Sequence, residues 1–201
     1  TPQELAPLNI PYVCCSYDNQ YGTLPPDSYA SVSIADEEEA CRAVTELYRC
    51  GHRRIAALVS GTEDRSISQL RDQGYVRALA AHDLPLDPAL VIEAGSFDIR
   101  QSYLAMQQHL LTGAQFTALF AISDNMAIGA MRALREAGRR IPEDCSVIAI
   151  DGLTISDYIN PTLTTLCQPV EHMGRRSVEI LLDMVEHRGG PIRETAHTTL
   201  R

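Results

Sequence analysis

An α/β fold built on a parallel, doubly wound sheet is what this sequence predicts, and three observations predict it. Short apolar runs of strand length alternate with amphipathic stretches of helix length along most of the chain. A polar loop follows each apolar run, and glycine or proline marks the helix ends. That spacing describes βαβ units, whose right-handed crossovers place helices on both faces of a parallel sheet.

The elements follow in order. "IPYVCCS" reads as a short buried strand. "DEEE" opens a helix with Cys41, Val44, Leu47 and Tyr48 on one face; its acids suit the positive end of the helix and are expected to form a solvated first turn. Arg49 and Gly51 suit its end. "RIAALVS" (54–60) is the second strand, and the next helix carries Leu70, Tyr75, Ala78 and Leu79, with Tyr75 read as packing. "ALVIEAG" is the third strand, followed by a helix marked by Tyr103, Met106, Leu110 and Leu111. "FTALFAI" is the fourth strand. Ser123 or Asp124 then caps a helix with Met126, Ala130, Met131 and Leu134 on its apolar side, and Gly138 and Pro142 end it. "CSVIAI" is the fifth strand, closed by Asp151-Gly152. A last long helix bears the stripe Met173, Ser177, Ile180, Leu181, Met184 and Val185, and the tail "ETAHTTLR" alternates like an edge strand.

Composition narrows the function. A chain of 201 residues with net charge −9 and a pI near 5.1 is poorly suited to hold nucleic acid by itself, because neutralising phosphates dominates such binding. No apolar run approaches membrane-spanning length, so no membrane partner is expected. The six cysteines form no C-x-x-C pair and read as free, buried thiols of a reducing cytoplasm, not as disulfides or a metal site. Dinucleotide and phosphate loops, the H-E-x-x-H pair and the G-x-S-x-G elbow are all absent.

The loops "GTEDRS", "GSFDIR", "SDN" and "DGLTISDYINP" follow strands, so a parallel sheet gathers them on one edge, where open α/β sheets bind ligands. They offer carboxylates, serines, an arginine and a phenylalanine. None of the six histidines lies in them, so a nucleophile there would lack the usual base. The set suits hydrogen bonding to a polar ligand, and no catalytic residue, metal or cofactor is assigned.

Four segments in order, "GHRRIAALVSG", "RDQGYVRAL", "FAISDNMAIGAMRALREAGRRIPEDCSVIAIDG" and "NPTLTTLCQPVEHMG", give the chain a resemblance. From Asn9 onward it resembles the effector-binding core of the LacI/GalR-type bacterial transcription regulators. The resemblance implies a two-lobed, periplasmic-binding-protein type I-like fold. Residues 1–34 and 167–190 would form a partial N-terminal lobe, and 35–166 and 191–201 a complete C-terminal lobe. It further implies that the helix-turn-helix headpiece, the hinge and the opening elements of the first lobe precede this chain, and that the truncated lobe exposes apolar edges. The function implied is sensing of a small sugar- or nucleoside-like effector between lobes by a cytoplasmic homodimer, with operator DNA held only through the absent headpiece. An exported sugar-binding protein of an uptake system is the alternative; the cysteines and the regulator-like "GHRRIA" and "IPEDCSVIAID" weigh against it.

By the same resemblance, Arg71 of the R-x-x-G-[YFW] segment hydrogen-bonds the effector, as a planar donor fork can. Phe97 stacks on a ring, Asp151 accepts ligand hydroxyls, and Gln168 lies at the lobe crossover. Three positions depart from the family. Ser16 stands where an aspartate is frequent, Ser123 where an asparagine is frequent, and Ala35-Asp36 where Asp-Asn is usual. Ser16 and Ser123 remain ligand candidates as uncharged donors and acceptors.

Overall fold

The computed structural model describes residues 5–8, 10–16, 29–61 and 67–201. Among them are nine strands: β1 (Val13–Cys15), β2 (Ala30–Ile34), β3 (Ile55–Val59), β4 (Val91–Glu93), β5 (Ala118–Ala121), β6 (Ser146–Asp151), β7 (Thr164–Cys167), β8 (Arg193–Ala196) and β9 (Thr199–Leu200). Five α-helices accompany them: α1 (Asp36–Arg49), α2 (Ile67–Ala81), α3 (Ile99–Leu111), α4 (Asp124–Glu136) and α5 (Val170–Val185).

The strands form two sheets. The larger has the order β4-β3-β5-β6-β7-β9, all parallel except the antiparallel β9. The smaller is parallel, with the order β1-β2-β8. In the larger sheet the chain steps from β3 outward to β4, then back past β3 to β5 and on to β6. Right-handed crossovers therefore put α2 on one face and α3 and α4 on the other. α1 packs on α2, and α5 covers β1 and β2 of the smaller sheet.

The core lies in the larger sheet. β3 and β5 are buried at every residue, as a strand covered by helices on both faces must be. Tyr75 packs beside Phe120, and its hydroxyl donates to the Ile55 carbonyl at 2.9 Å, so its polar tip is satisfied inside the core. Among the described residues no helix is long and apolar enough to cross a membrane.

Helix pairing on each face depends on one glycine. A Cβ at Gly74 of α2 would fall 2.3 Å from the Glu37 carbonyl oxygen of α1, and one at Gly129 of α4 would fall 2.2 Å from the Ile99 carbonyl oxygen of α3. Both obstacles are backbone, so the helices must separate to admit a methyl. Gly129→Ala is expected to cost about 2 kcal/mol through this overpacking, read as a lowered midpoint in urea with an unchanged slope. An unshifted midpoint would show that α3 and α4 separate freely.

Several expectations need correction. The tail does not join the larger unit whole: Arg193–Ala196 pairs with β2 in the smaller sheet, and Thr199–Leu200 alone pairs with β7. The break is at Thr198, whose hydroxyl donates to Glu39 Oε2 at 2.6 Å and holds the chain against α1. β1 is half-buried to exposed because it is an edge strand. Ala30–Ile34, buried throughout, is a strand that the periodicity did not pick out. Leu111 is 87% exposed and Val185 53%. Each lies five residues beyond a buried anchor, Met106 and Ile180, and so about 140° round its helix. None of the six cysteines is in a disulfide, but Cys145 alone is fully buried, while Cys15 and Cys50 are exposed.

Candidate functional site

The sequence-predicted residues fall at the carboxyl ends of strands. Ser16 follows β1, Phe97 lies in the loop after β4, and Ser123 follows β5 by two residues. Asp151 ends β6, and Gln168 follows β7. Arg71 lies one turn into α2, the helix that follows β3. The chain passes between the two sheets after β2, β7 and β8, so two of these crossovers bring Asp36 and Gln168 to the same edge.

Four of the six residues form one hydrogen-bonded chain that runs from sheet to sheet. The Ser16 hydroxyl donates to Gln168 Oε1 at 3.0 Å, and Gln168 Nε2 donates to Asp151 Oδ1 at 3.0 Å. Arg71 Nη1 donates to the same Asp151 oxygen at 3.1 Å and to the Ile122 carbonyl. Arg71 Nε donates to Asp36 Oδ1 at 2.8 Å. The side chains of Arg71 and Asp36 are 3% and 4% exposed, against 24% for Asp151. Asp151 is thus the charged member of this chain that faces solvent.

Charge explains why the arginine tolerates burial. Burial opposes its cation, but the Asp36 and Asp151 carboxylates outweigh that and hold its pKa above the usual value. Burial pushes the carboxyl of Asp36 up against the pull of Arg71, with Asp151 and Glu39 adding to the rise. Asp151 is likewise raised, first by burial, against the pull of Arg71. One cation therefore serves two carboxylates, and the group carries a net negative charge when all three are ionised.

Asp36 was the residue that sequence reasoning missed. Its "DEEE" run was expected to be a solvated helix start, yet Asp36 and Glu39 are buried. Asp36 turns toward Arg71, and Glu39 toward Thr198 and Arg42. The signal that could have found it was the departure at Ala35-Asp36, a carboxylate where the chain leaves β2 for the larger sheet.

The backbone at the site is held in uncommon conformations. Ser16 has φ of 58°, Asp151 141° and Gly152 77°. A Cβ at Gly152 would lie 2.6 Å from the Cα of Cys167, so glycine alone fits beside β7. Asp124, fully buried at the start of α4, fixes this turn. Its Oδ2 accepts from the Leu153 amide and the Ser156 hydroxyl, both at 2.7 Å, and its Oδ1 accepts from the Thr165 hydroxyl at 2.5 Å. Thr165 Oγ1 in turn accepts from the Gly152 amide at 3.2 Å.

Two predicted residues stand apart from the chain. The Ser123 hydroxyl is buried and caps α4, accepting from the Met126 amide at 3.3 Å. Its position adjoins the Ile122 carbonyl that Arg71 engages. Phe97 is half-buried against the edge of the core. Of the predicted loops, residues 62–66 lie outside the described residues.

A second carboxyl pair lies on the same edge. Asp72 follows Arg71 in α2 and feels Glu93, the last residue of β4. Burial, then Glu93, pushes the Asp72 carboxyl up to about 6, and its buried Oδ1 has no hydrogen-bond partner among the described residues. A folded-state pKa above the unfolded one means that the folded chain binds more protons, so stability falls as pH rises from about 4 to 6. Asp72→Asn is expected to remove that slope and to gain about 1 kcal/mol at pH 7, solvent screening included. Thermal melts at pH 5 and 7 check it; equal slopes in both proteins would refute it.

Residues 44–201 match the family described as periplasmic binding protein-like domain. The HTH-type transcriptional regulator CelR of Thermobifida fusca is 35% identical over 184 residues, which are 92% of this chain and 53% of that protein. A solved CelR–cellobiose complex superposes with a TM-score of 0.89 at 33% identity, over 100% of this chain and 60% of that one. A LacI-family regulatory protein from Chloroflexus aggregans superposes at 0.83 with 30% identity, over 98% of this chain and 69% of that one. This chain spans about half the length of the curated relatives it matches. It belongs to the family of periplasmic binding protein-like domains, in the form carried by LacI-family transcriptional regulators.

Proposed function

We propose that this chain is the effector-binding and dimerisation part of a cytoplasmic LacI-type transcriptional regulator. A small sugar- or nucleoside-like metabolite binds between the two sheets, and a helix-turn-helix headpiece outside this chain holds operator DNA. The observation that carries the reading is the chain Ser16–Gln168–Asp151–Arg71–Asp36, which joins side chains from both sheets at one edge. A ligand that replaces the Gln168 bridge with its own hydroxyls would bond to both sheets at once. It would thereby bias the angle between them, which is how one site couples to another. Asp151, Arg71, Gln168 and Ser16 supply the polar contacts. Phe97 offers a flat apolar surface at the rim, and Ser123 a short side chain where a longer amide would intrude. The cellobiose bound to the CelR relative supports a sugar.

The partner is a second copy of this chain. The loop around Tyr158, 79% exposed, and the neighbouring Ile155, 50% exposed, offer apolar surface to it beside the outer side of α4. In this reading the site binds its ligand without turnover, as suits a relative of transcriptional regulators.

The test is a thermal-shift screen of neutral sugars and nucleosides, followed by calorimetry on any hit and chromatography of the ligand after long incubation. Saturable binding with the ligand recovered unchanged supports the reading. Failure of every compound to shift the melt, or conversion of a bound one, overturns it.

A further inference from the structure

The charge at the cleft carries a statement about the class of effector, one that rests on the reading above. Among the described residues Arg71 is the single cation in the sheet-to-sheet network, and two carboxylates already serve it, at 2.8 Å from Asp36 and 3.1 Å from Asp151. Anions are recognised best by a guanidinium that presents two parallel N–H groups from one edge. Each edge of the Arg71 guanidinium has one nitrogen already committed: Nε to Asp36, and Nη1 to Asp151 and the Ile122 carbonyl. No full fork is left for a phosphate or carboxylate. The surroundings add to this. Asp72 and Glu93 lie at the same edge, and Asp124 sits close enough to raise the Asp151 carboxyl. Arg100, in the first turn of α3, is exposed and takes no part in the network.

We propose that Asp36, by completing the neutralisation of Arg71, makes the cleft a site for uncharged, hydroxyl-rich ligands and closes it to anionic ones such as sugar phosphates, uronates and nucleotides. An anion would enter a group of net negative charge and meet a cation with no complete fork to offer. A neutral polyol meets good acceptors instead. Asp151 can take two ligand hydroxyls through its exposed edge. Replacing Asp36 by asparagine keeps the shape and removes one of the two charges that hold Arg71.

The experiment uses matched sets in which one skeleton appears with and without charge: glucose, glucose 6-phosphate, glucuronate and glucosamine; cellobiose and cellobionate; adenosine and adenosine monophosphate. Affinities are measured by calorimetry on the wild-type chain and on Asp36→Asn. The neutral member of whichever set binds is expected to exceed its anionic counterpart by roughly tenfold or more, with glucosamine not penalised. Asp36→Asn is expected to narrow that gap several-fold by strengthening the anion. An anion that binds the wild type as well as its neutral counterpart overturns the proposal and leaves the effector-binding reading intact. A gap that Asp36→Asn does not change removes Asp36 as its cause and overturns the assignment. If the variant melts too low to measure, Asp36→Ser is used for the same comparison. Absence of binding by every member of every set overturns the effector-binding reading and this inference with it.

Discussion

Arg71→Met is expected to lower stability by about 3–5 kcal/mol and to abolish effector binding. The stability loss comes from what remains, because methionine fills much of the volume. Asp36 and Asp151 would be left as buried carboxylates without their cation, and removing one partner of a buried pair costs far more than the intact pair is worth. The two acids then escape by taking up protons. Their folded-state pKa values rise further above the unfolded ones, so the deficit shrinks as pH falls from 7 toward 5. Melts of the variant across that range test this, with a drop of roughly 10 °C at pH 7 as the expected size. Adding Asp36→Asn to Arg71→Met should recover part of the loss, a coupling that a double-mutant cycle measures directly. A single variant that melts like wild type at pH 7 would mean that Arg71 is not the counter-charge of these acids.

Asp124→Ala is expected to cost about 3 kcal/mol and to weaken effector binding without touching the effector. The alanine deletes three accepted hydrogen bonds and leaves the buried Ser156 and Thr165 hydroxyls without their acceptor. The turn that aims Asp151 then loses its anchor, because Thr165 is tied to Asp124 on one side and to the Gly152 amide on the other. Asp124→Asn should lose less, about 1 kcal/mol. Its amide oxygen can still accept from Leu153 and Ser156, and its NH2 can donate to the Thr165 hydroxyl. Urea unfolding and effector affinity of the two variants check this. Equal losses for Ala and Asn would show that the charge, not the bonding, holds the turn.

The larger sheet was legible because its elements are local. β3 to β6 each follow a helix in sequence, and the buried faces of α2 and α4 coincide with the predicted stripes through Leu70, Tyr75, Leu79, Met126, Met131 and Leu134. The smaller sheet was poorly legible because its strands are distant in sequence and weakly apolar. "ASVSI" buries two serines among its five residues, so no apolar run announces it. At the site, Arg71, Asp151, Gln168 and Ser16 were named from a family resemblance, and the structure bonds them together. Asp36 escaped because an acid at a helix start has a sufficient local explanation in the helix dipole. Only the fold brings Arg71 from 35 residues away to give it another.

The pairing of Ser31 with Arg193 bears on how the chain is made. Synthesis proceeds from the amino end, so β3 to β7 and the helices between them emerge as a continuous stretch and can close their sheet early. β2 emerges well before that stretch, but its partner β8 only after it. Until then β2 has an unpaired edge of backbone amides and carbonyls, and α5 has no finished surface to cover. Joining strands so far apart also carries a loop-closure cost that nearby pairings avoid, which slows the step. The smaller sheet is therefore completed only after the larger one, once β8 has been added.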